Sequence, residues 1–165
     1  MFNVHASGGL SMMREAALAV TKTAAELNKP RPKVIAVTVL TSMDLADWRG
    51  LGHTGSIQSQ VVHLAKMAKE AGLDGVVASP EEARSIREAC GPDFLIVTPG
   101  VRPRGSASND QSRIATPAEA LAAGASHLVI GRPITGAADP AAAADAMAAE
   151  MEKALAPPSS QAQKP

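Results

Sequence analysis

Strict alternation of short β-rich runs with helical stripes does most to limit what this chain can fold into. Strands are predicted over Phe2–Ala6, Val34–Val39, Gly75–Ala78, Phe94–Thr98 and Leu128–Ile130, each followed by a helical pattern. Behind the first, Met13, Ala17, Val20, Ala24 and Leu27 recur at three- and four-residue steps. Behind the second, Ile57, Val61, Leu64, Ala68 and Ala71 do the same, and Ala144, Met147, Met151 and Ala154 mark the last helix. Such spacing gives one apolar stripe per helix. Ser79-Pro80-Glu81-Glu82 and Thr116-Pro117-Ala118-Glu119 read as capping boxes with Pro at the first helical position, and Asp139-Pro140 repeats the cap-plus-Pro signal.

Near-continuous apolar strands separated by helices are the mark of a parallel sheet. A (β/α)8 barrel and a doubly wound sheet both satisfy the pattern. Ser7-Gly8-Gly9 is only a fragment of a dinucleotide fingerprint, which favours the barrel. Closure needs eight units and about 250 residues, whereas the chain's 165 residues supply five units. The expectation is therefore α/β, the (β/α)8 TIM-barrel family, incomplete: five parallel strands with alternating helices, the C-terminal five-eighths of a barrel. Residues 1–155 form the partial, phosphate-binding domain, and 156–165, rich in Pro, Ser and Gln, form a disordered tail.

Composition closes several other routes. A formal net charge of zero and only three aromatic residues (Phe2, Trp48, Phe94) give no nucleic-acid surface. No apolar run reaches the roughly 18 residues of a membrane span, and no basic signal peptide opens the chain. The lone Cys90 makes neither an internal disulfide nor a metal cluster and suits a reducing cytoplasm. No His pair has metal-ligand spacing and no Ser sits in a Gly-x-Ser-x-Gly elbow, so neither metal nor nucleophilic hydrolysis is expected.

In a barrel, ligands meet the loops at the C-terminal ends of the strands. Leu128-Val129-Ile130-Gly131-Arg132-Pro133 reads as a strand ending on Gly-Arg, where glycine lets an anion approach the backbone and arginine offers a fork. A buried strand followed by a solvated arginine is the plainer alternative. Of nine Arg, five (Arg49, Arg102, Arg104, Arg113, Arg132) fall in or beside loops on that face, and none of the seven Lys does. Guanidinium-rich, ammonium-free surroundings suit planar anion recognition.

The long loop Pro99 to Arg113 holds three Arg with Asn109, Asp110 and Gln111 and is a candidate to close over an anion. In the loop Thr41 to Thr54, Thr41 and Ser42 offer hydroxyls, Leu51 an apolar cover, and Trp48 reads first as packing. Among the histidines, His63 and His127 read as structural or solvated, and His53 lacks a recognisable partner. His5 shares a strand face with Asn3 and reads as a satisfied core histidine.

Six blocks then carry a resemblance. Val4-His5-Ala6-Ser7-Gly8-Gly9, Val37-Thr38-Val39-Leu40-Thr41-Ser42, Gly72-Leu73-Asp74-Gly75-Val76-Val77, Val97-Thr98-Pro99-Gly100-Val101-Arg102, Asn109-Asp110-Gln111 and Gly131-Arg132 occur in that order. Together they resemble orotidine 5′-phosphate decarboxylase from Met1 to about Leu155. The resemblance implies a dimeric barrel enzyme that makes uridine 5′-phosphate and carbon dioxide without a cofactor. It implies that Thr41 contacts the ligand, and that Arg102, Gln111 and Arg132 hold the phosphate of a nucleotide substrate while Gly131 lets its backbone approach. The family's catalytic Lys and its Asp partners belong to an Asp-x-Lys-x-x-Asp segment that this chain lacks, so no catalytic residue is assigned to it. Three alternatives stay open: a related sugar-phosphate enzyme such as a hexulose-phosphate synthase, a non-catalytic phosphate-binding module, and half of a split enzyme.

Overall fold

The computed structural model describes residues 1–103 and 115–156. Its centre is a five-stranded, wholly parallel sheet in the order β1-β2-β3-β4-β5. The strands are β1 (Phe2–His5), β2 (Val34–Val37), β3 (Gly75–Val77), β4 (Leu95–Thr98) and β5 (His127–Leu128). The helices are α1 (Gly9–Glu26), α2 (Leu45–Gly50), α3 (Ile57–Glu70), α4 (Pro80–Cys90), α5 (Pro117–Ala122), α6 (Arg132–Thr135) and α7 (Pro140–Leu155). Sequential neighbours pair with no strand skipped, as the five-unit reading requires.

Register sorts the side chains into two faces. Val4, Ala36, Val76 and Ile96 pair across the sheet and join the core beneath the helices. The next row, His5, Val37, Val77, Val97 and His127, lies on the opposite face, because side chains alternate along each strand. His5 is exposed on that face, so the expected core histidine is corrected: no described element covers it.

The helix stripes largely hold. Met13, Ala17 and Ala24 of α1 and Val61, Leu64, Ala65 and Ala68 of α3 are buried. Leu27, counted in the α1 stripe, is 63% exposed because the helix has ended at its position. In α7 only Met147 is buried. The cap at Thr116 is a full reciprocal box, with Glu119 N donating to Thr116 Oγ1 at 3.2 Å and Thr116 N to Glu119 Oε2 at 2.9 Å. Ser79 makes only half of one: its hydroxyl accepts from Glu81 N at 3.3 Å, while Glu82 is itself buried.

Two corrections concern connections. The segment from Thr41 to Thr54 holds α2, started by Asp44, whose carboxylate accepts from Ala46 N at 2.7 Å and Asp47 N at 2.9 Å. β5 stops at Leu128, short of Ile130, because Val129 N gives the last bond to β4, to Thr98 O at 2.9 Å, and the chain then turns into α6.

At the N-terminal ends of the strands, two charged clamps hold the layers together. Asp74 accepts from Arg31 Nη1 at 2.6 Å, Lys33 Nζ at 3.1 Å and Val34 N at 2.8 Å. Arg87, at the end of α4, donates to the carbonyls of Gly91 (2.8 Å), Pro92 (2.6 Å), Phe94 (2.7 Å) and Gly124 (2.8 Å), and to Ser126 Oγ at 3.0 Å. Between the clamps, Gly75 lies so close to β4 that a Cβ there would stand 2.5 Å from Leu95 Cβ and collide with the Leu95 carbonyl.

Candidate functional site

The opposite end of the sheet, where the strands finish, gathers every described site residue named from the sequence. Thr41 follows β2 in a turn closed by Met43 N donating to Leu40 O at 3.0 Å, and it is buried. The strand end is fixed by Thr38, whose hydroxyl and amide both donate to Val77 O, at 2.8 and 3.1 Å. Arg102 follows β4 and Arg132 follows β5, each four residues past a directly paired position, Thr98 opposite Leu128. Both arginines therefore leave the same end of adjacent parallel strands.

Their surroundings differ. Arg102 is only 6% exposed, yet its described contacts are few: Nη1 donates to Val101 O at 2.9 Å, and buried Nε meets no acceptor among the described residues. Its backbone is fixed by Arg102 N donating to Ala115 O at 2.9 Å, beside a parallel bridge from Val101 to Ala115. A buried guanidinium is costly unless an anion or further acceptors satisfy it. Arg132 is exposed at the start of α6, and a Cβ on Gly131 would meet nothing within 4 Å, so the backbone there is open to approach. Gln111, Asn109, Asp110, Arg104 and Arg113 lie outside the described residues, as do 157–165 of the expected tail.

The sequence did not point to two features of this rim. Thr98 Oγ1, fully buried at the end of β4, also lacks a partner among the described residues, so two unsatisfied polar groups fall within the stretch Thr98–Arg102. Farther along the rim, past β3, the ends of β1 and β2 border a cavity of about 260 Å³ lined by His5, Ser7, Thr38, Trp48 and His53 among others. Trp48 is 4% exposed, as its packing role predicted, and donates from Nε1 to Gly55 O at 2.8 Å. His53, partnerless on sequence, stacks on the Trp48 ring at 3.7 Å and 10°. Leu51 also lines the cavity and is 64% exposed.

The described lysines lie elsewhere. Lys22 is on α1, Lys66 and Lys69 on α3, Lys153 on α7, and Lys29 and Lys33 precede β2. The two displaced titrations also belong to the far end. For Asp74, burial pushes the carboxyl up, but the bonds from Val34 N, Arg31 and Lys33 outweigh it and hold the group below its usual range. Burial pushes the Cys90 thiol up. Among the described residues the strand-end rim thus offers guanidinium and hydroxyl donors and no ammonium, an arrangement that can hold an oxyanion but not deliver a proton from lysine.

Comparison with known proteins places the chain by family and fold. Residues 1–147 match the family model described as Orotidine 5′-phosphate decarboxylase / HUMPS family. An orotidine 5′-phosphate decarboxylase of Moorella thermoacetica is 62% identical over 153 residues, 92% of this chain and 61% of that protein. One from Rhodospirillum rubrum is 56% identical over 92% of this chain and 61% of its own length. The crystal structure of the Lactobacillus acidophilus orotidine 5′-phosphate decarboxylase superposes with a TM-score of 0.73 at 40% identity, covering 90% of this chain and 62% of that one. The chain thus spans about three-fifths of the length of the relatives it matches.

Proposed function

The chain belongs to the orotidine 5′-phosphate decarboxylase / HUMPS family, and from that premise we propose that it forms the phosphate-holding rim of an enzyme converting orotidine 5′-phosphate to uridine 5′-phosphate and carbon dioxide. The observation that carries the reading is the placement of Arg102 and Arg132 past the same ends of paired strands β4 and β5, with Arg102 buried and its Nε without an acceptor among the described residues. An incoming phosphoryl group supplies the acceptor that Arg102 Nε lacks among the described residues, and Gly131 leaves room beside Arg132. Gln111 completes the grip and Thr41 contacts the nucleotide from the turn after β2.

Loss of carbon dioxide leaves an electron pair on a ring carbon, which a nearby cation must stabilise and a proton must then quench. Phosphate contacts act at a distance from that carbon; they anchor the substrate so that binding energy can be used at the reacting centre. No described Lys stands at this rim, so the barrier-lowering ammonium belongs to the Asp-x-Lys-x-x-Asp segment of the family pattern. The lone buried thiol suits a cytoplasmic setting, and the resemblance alone supports a homodimer as the working state.

The test is to assay this chain with orotidine 5′-phosphate and, separately, to titrate it with uridine 5′-phosphate. We expect no measurable carbon dioxide release, and weak binding that Arg102→Ala removes. Substantial turnover by these 165 residues, or binding indifferent to Arg102, overturns the assignment.

A further inference from the structure

We propose that the cavity between the end of β2 and helix α3, bounded by α2, is a binding site for one small uncharged ring that carries an amide. The proposal goes beyond the phosphate-rim reading: it concerns the helix side of the sheet and uses neither Arg102 nor Arg132.

Strand alternation places the site. Ala36 of β2 belongs to the core beneath the helices, so Thr38, two residues on, faces the same way. Gln60 and Leu64 meet it from α3, and Trp48 from α2. Strand β3 separates β2 from β4, the strand that leads to Arg102, which at about 4.8 Å per strand puts β2 about 10 Å from β4.

The walls are fixed by their own bonds. Thr38 is tied to Val77 O through both its hydroxyl and its amide. Helix α2 is held at its start by the Asp44 carboxylate and beyond its end by the bond from Trp48 Nε1 to Gly55 O at 2.8 Å. Helix α3 starts at Ser56, whose Oγ accepts from Ser59 N at 3.1 Å. A cavity shaped in advance spares a ligand the entropy of ordering its walls.

The lining selects the ligand. A volume of about 260 Å³ lies just under the about 300–1,000 Å³ of pockets for drug-sized molecules, so it takes a single ring. Val39, Leu40, Met43 and Leu64 supply apolar surface for that ring. Among the described residues no carboxylate, ammonium or guanidinium lines the cavity, so a charged ligand would lose its hydration without gaining a counter-ion. Two polar groups on the wall are uncommitted: the Ser7 hydroxyl and the Gln60 carboxamide make no side-chain hydrogen bond to another described residue. A carboxamide donates and accepts side by side, and another amide answers both.

The experiment titrates the full chain with benzamide and follows the Trp48 indole N–H and the Gln60 side-chain amide by two-dimensional NMR. We expect saturable shifts of both signals at about millimolar concentration, the scale for a ligand of about nine non-hydrogen atoms. Benzoate, the same ring with a charge, should bind at least about tenfold more weakly at about pH 8, where free imidazole is uncharged. Gln60→Leu, which keeps the volume, and Ser7→Ala, on a different element, should each weaken benzamide about threefold or more. Gln58→Leu, one turn from the cavity wall and bonded instead to Ser85 Oγ at 3.0 Å, should change affinity less than about twofold. Failure to saturate, shifts confined to other signals, equal binding of benzoate, affinity unmoved by both wall variants, or displacement of benzamide by uridine 5′-phosphate each overturns the proposal. A chain that binds benzamide but not uridine 5′-phosphate keeps this site and loses the phosphate reading, and one that binds only the nucleotide does the reverse.

Discussion

Replacing Arg102 by Met separates the grip on an anion from the stability of the fold. Among the described residues the guanidinium, 6% exposed, has no acceptor at Nε and one bond, from Nη1 to Val101 O at 2.9 Å. Removing an unsatisfied buried donor returns about 1–3 kcal/mol, and losing one neutral-acceptor bond to a charged donor costs about 1.5–3 kcal/mol. Methionine keeps the apolar stem packed. The two terms nearly cancel, so Arg102→Met should unfold in urea within about 1 kcal/mol of the parent at unchanged slope, a Tm shift of no more than about 4 °C. Phosphate, in contrast, should raise the parent's Tm and leave that of the variant fixed, since a ligand stabilises only the state that binds it. Destabilisation beyond about 3 kcal/mol, the scale of breaking a paired buried charge, would show that Arg102 is a structural strut and refute the reasoning. An equal phosphate response in both proteins would refute it too.

Three further outcomes follow from the other end of the sheet. Arg87→Ala removes five bonds that tie α4 to the starts of β4 and β5; part of this is recovered by water, so a loss of about 3 kcal/mol is expected, against less than about 0.5 kcal/mol for exposed Arg84→Ala, both read by urea unfolding. Gly75→Ala places a methyl against the Leu95 carbonyl and should cost about 2 kcal/mol or more by forcing β3 and β4 apart; a neutral result in thermal melts would contradict the pairing of Gly75 with Leu95. Because the folded Asp74 carboxyl lies below its ordinary 3.8, its contribution is present above about pH 4 and disappears as pH falls through the lowered value. Stability of Asp74→Asn should therefore be lower at neutral pH and flatter with acid than the parent's, and parallel acid limbs would exclude the role.

The alternation of apolar runs and stripes made the parallel sheet legible, because each helix had to bury one face on it, and the Thr116 cap was readable residue by residue. The site was legible to the extent that it depends on strand order: Arg102 and Arg132 follow adjacent strands because their strands are consecutive in sequence. What escaped has local causes. The α2 helix hid in a segment read as a loop, although Asp44 before Leu45-Ala46-Asp47 is an N-cap signal of ordinary strength. The end of β5 depends on where its last bond to Thr98 falls, which no composition encodes. Arg87 looked like any basic residue near a helix C-terminus, because its carbonyl partners belong to turns far along the chain. The pairing of His53 with Trp48 rests on the path of the α2–α3 connection, for which no periodicity exists.

Trp48 has a practical consequence. It is the chain's single indole, wedged between the Gly55 carbonyl and the His53 imidazole, so intrinsic fluorescence is a one-pixel camera aimed at the α2 segment. Emission and circular dichroism measured together therefore time the melting of one strand-end connection against that of the whole molecule.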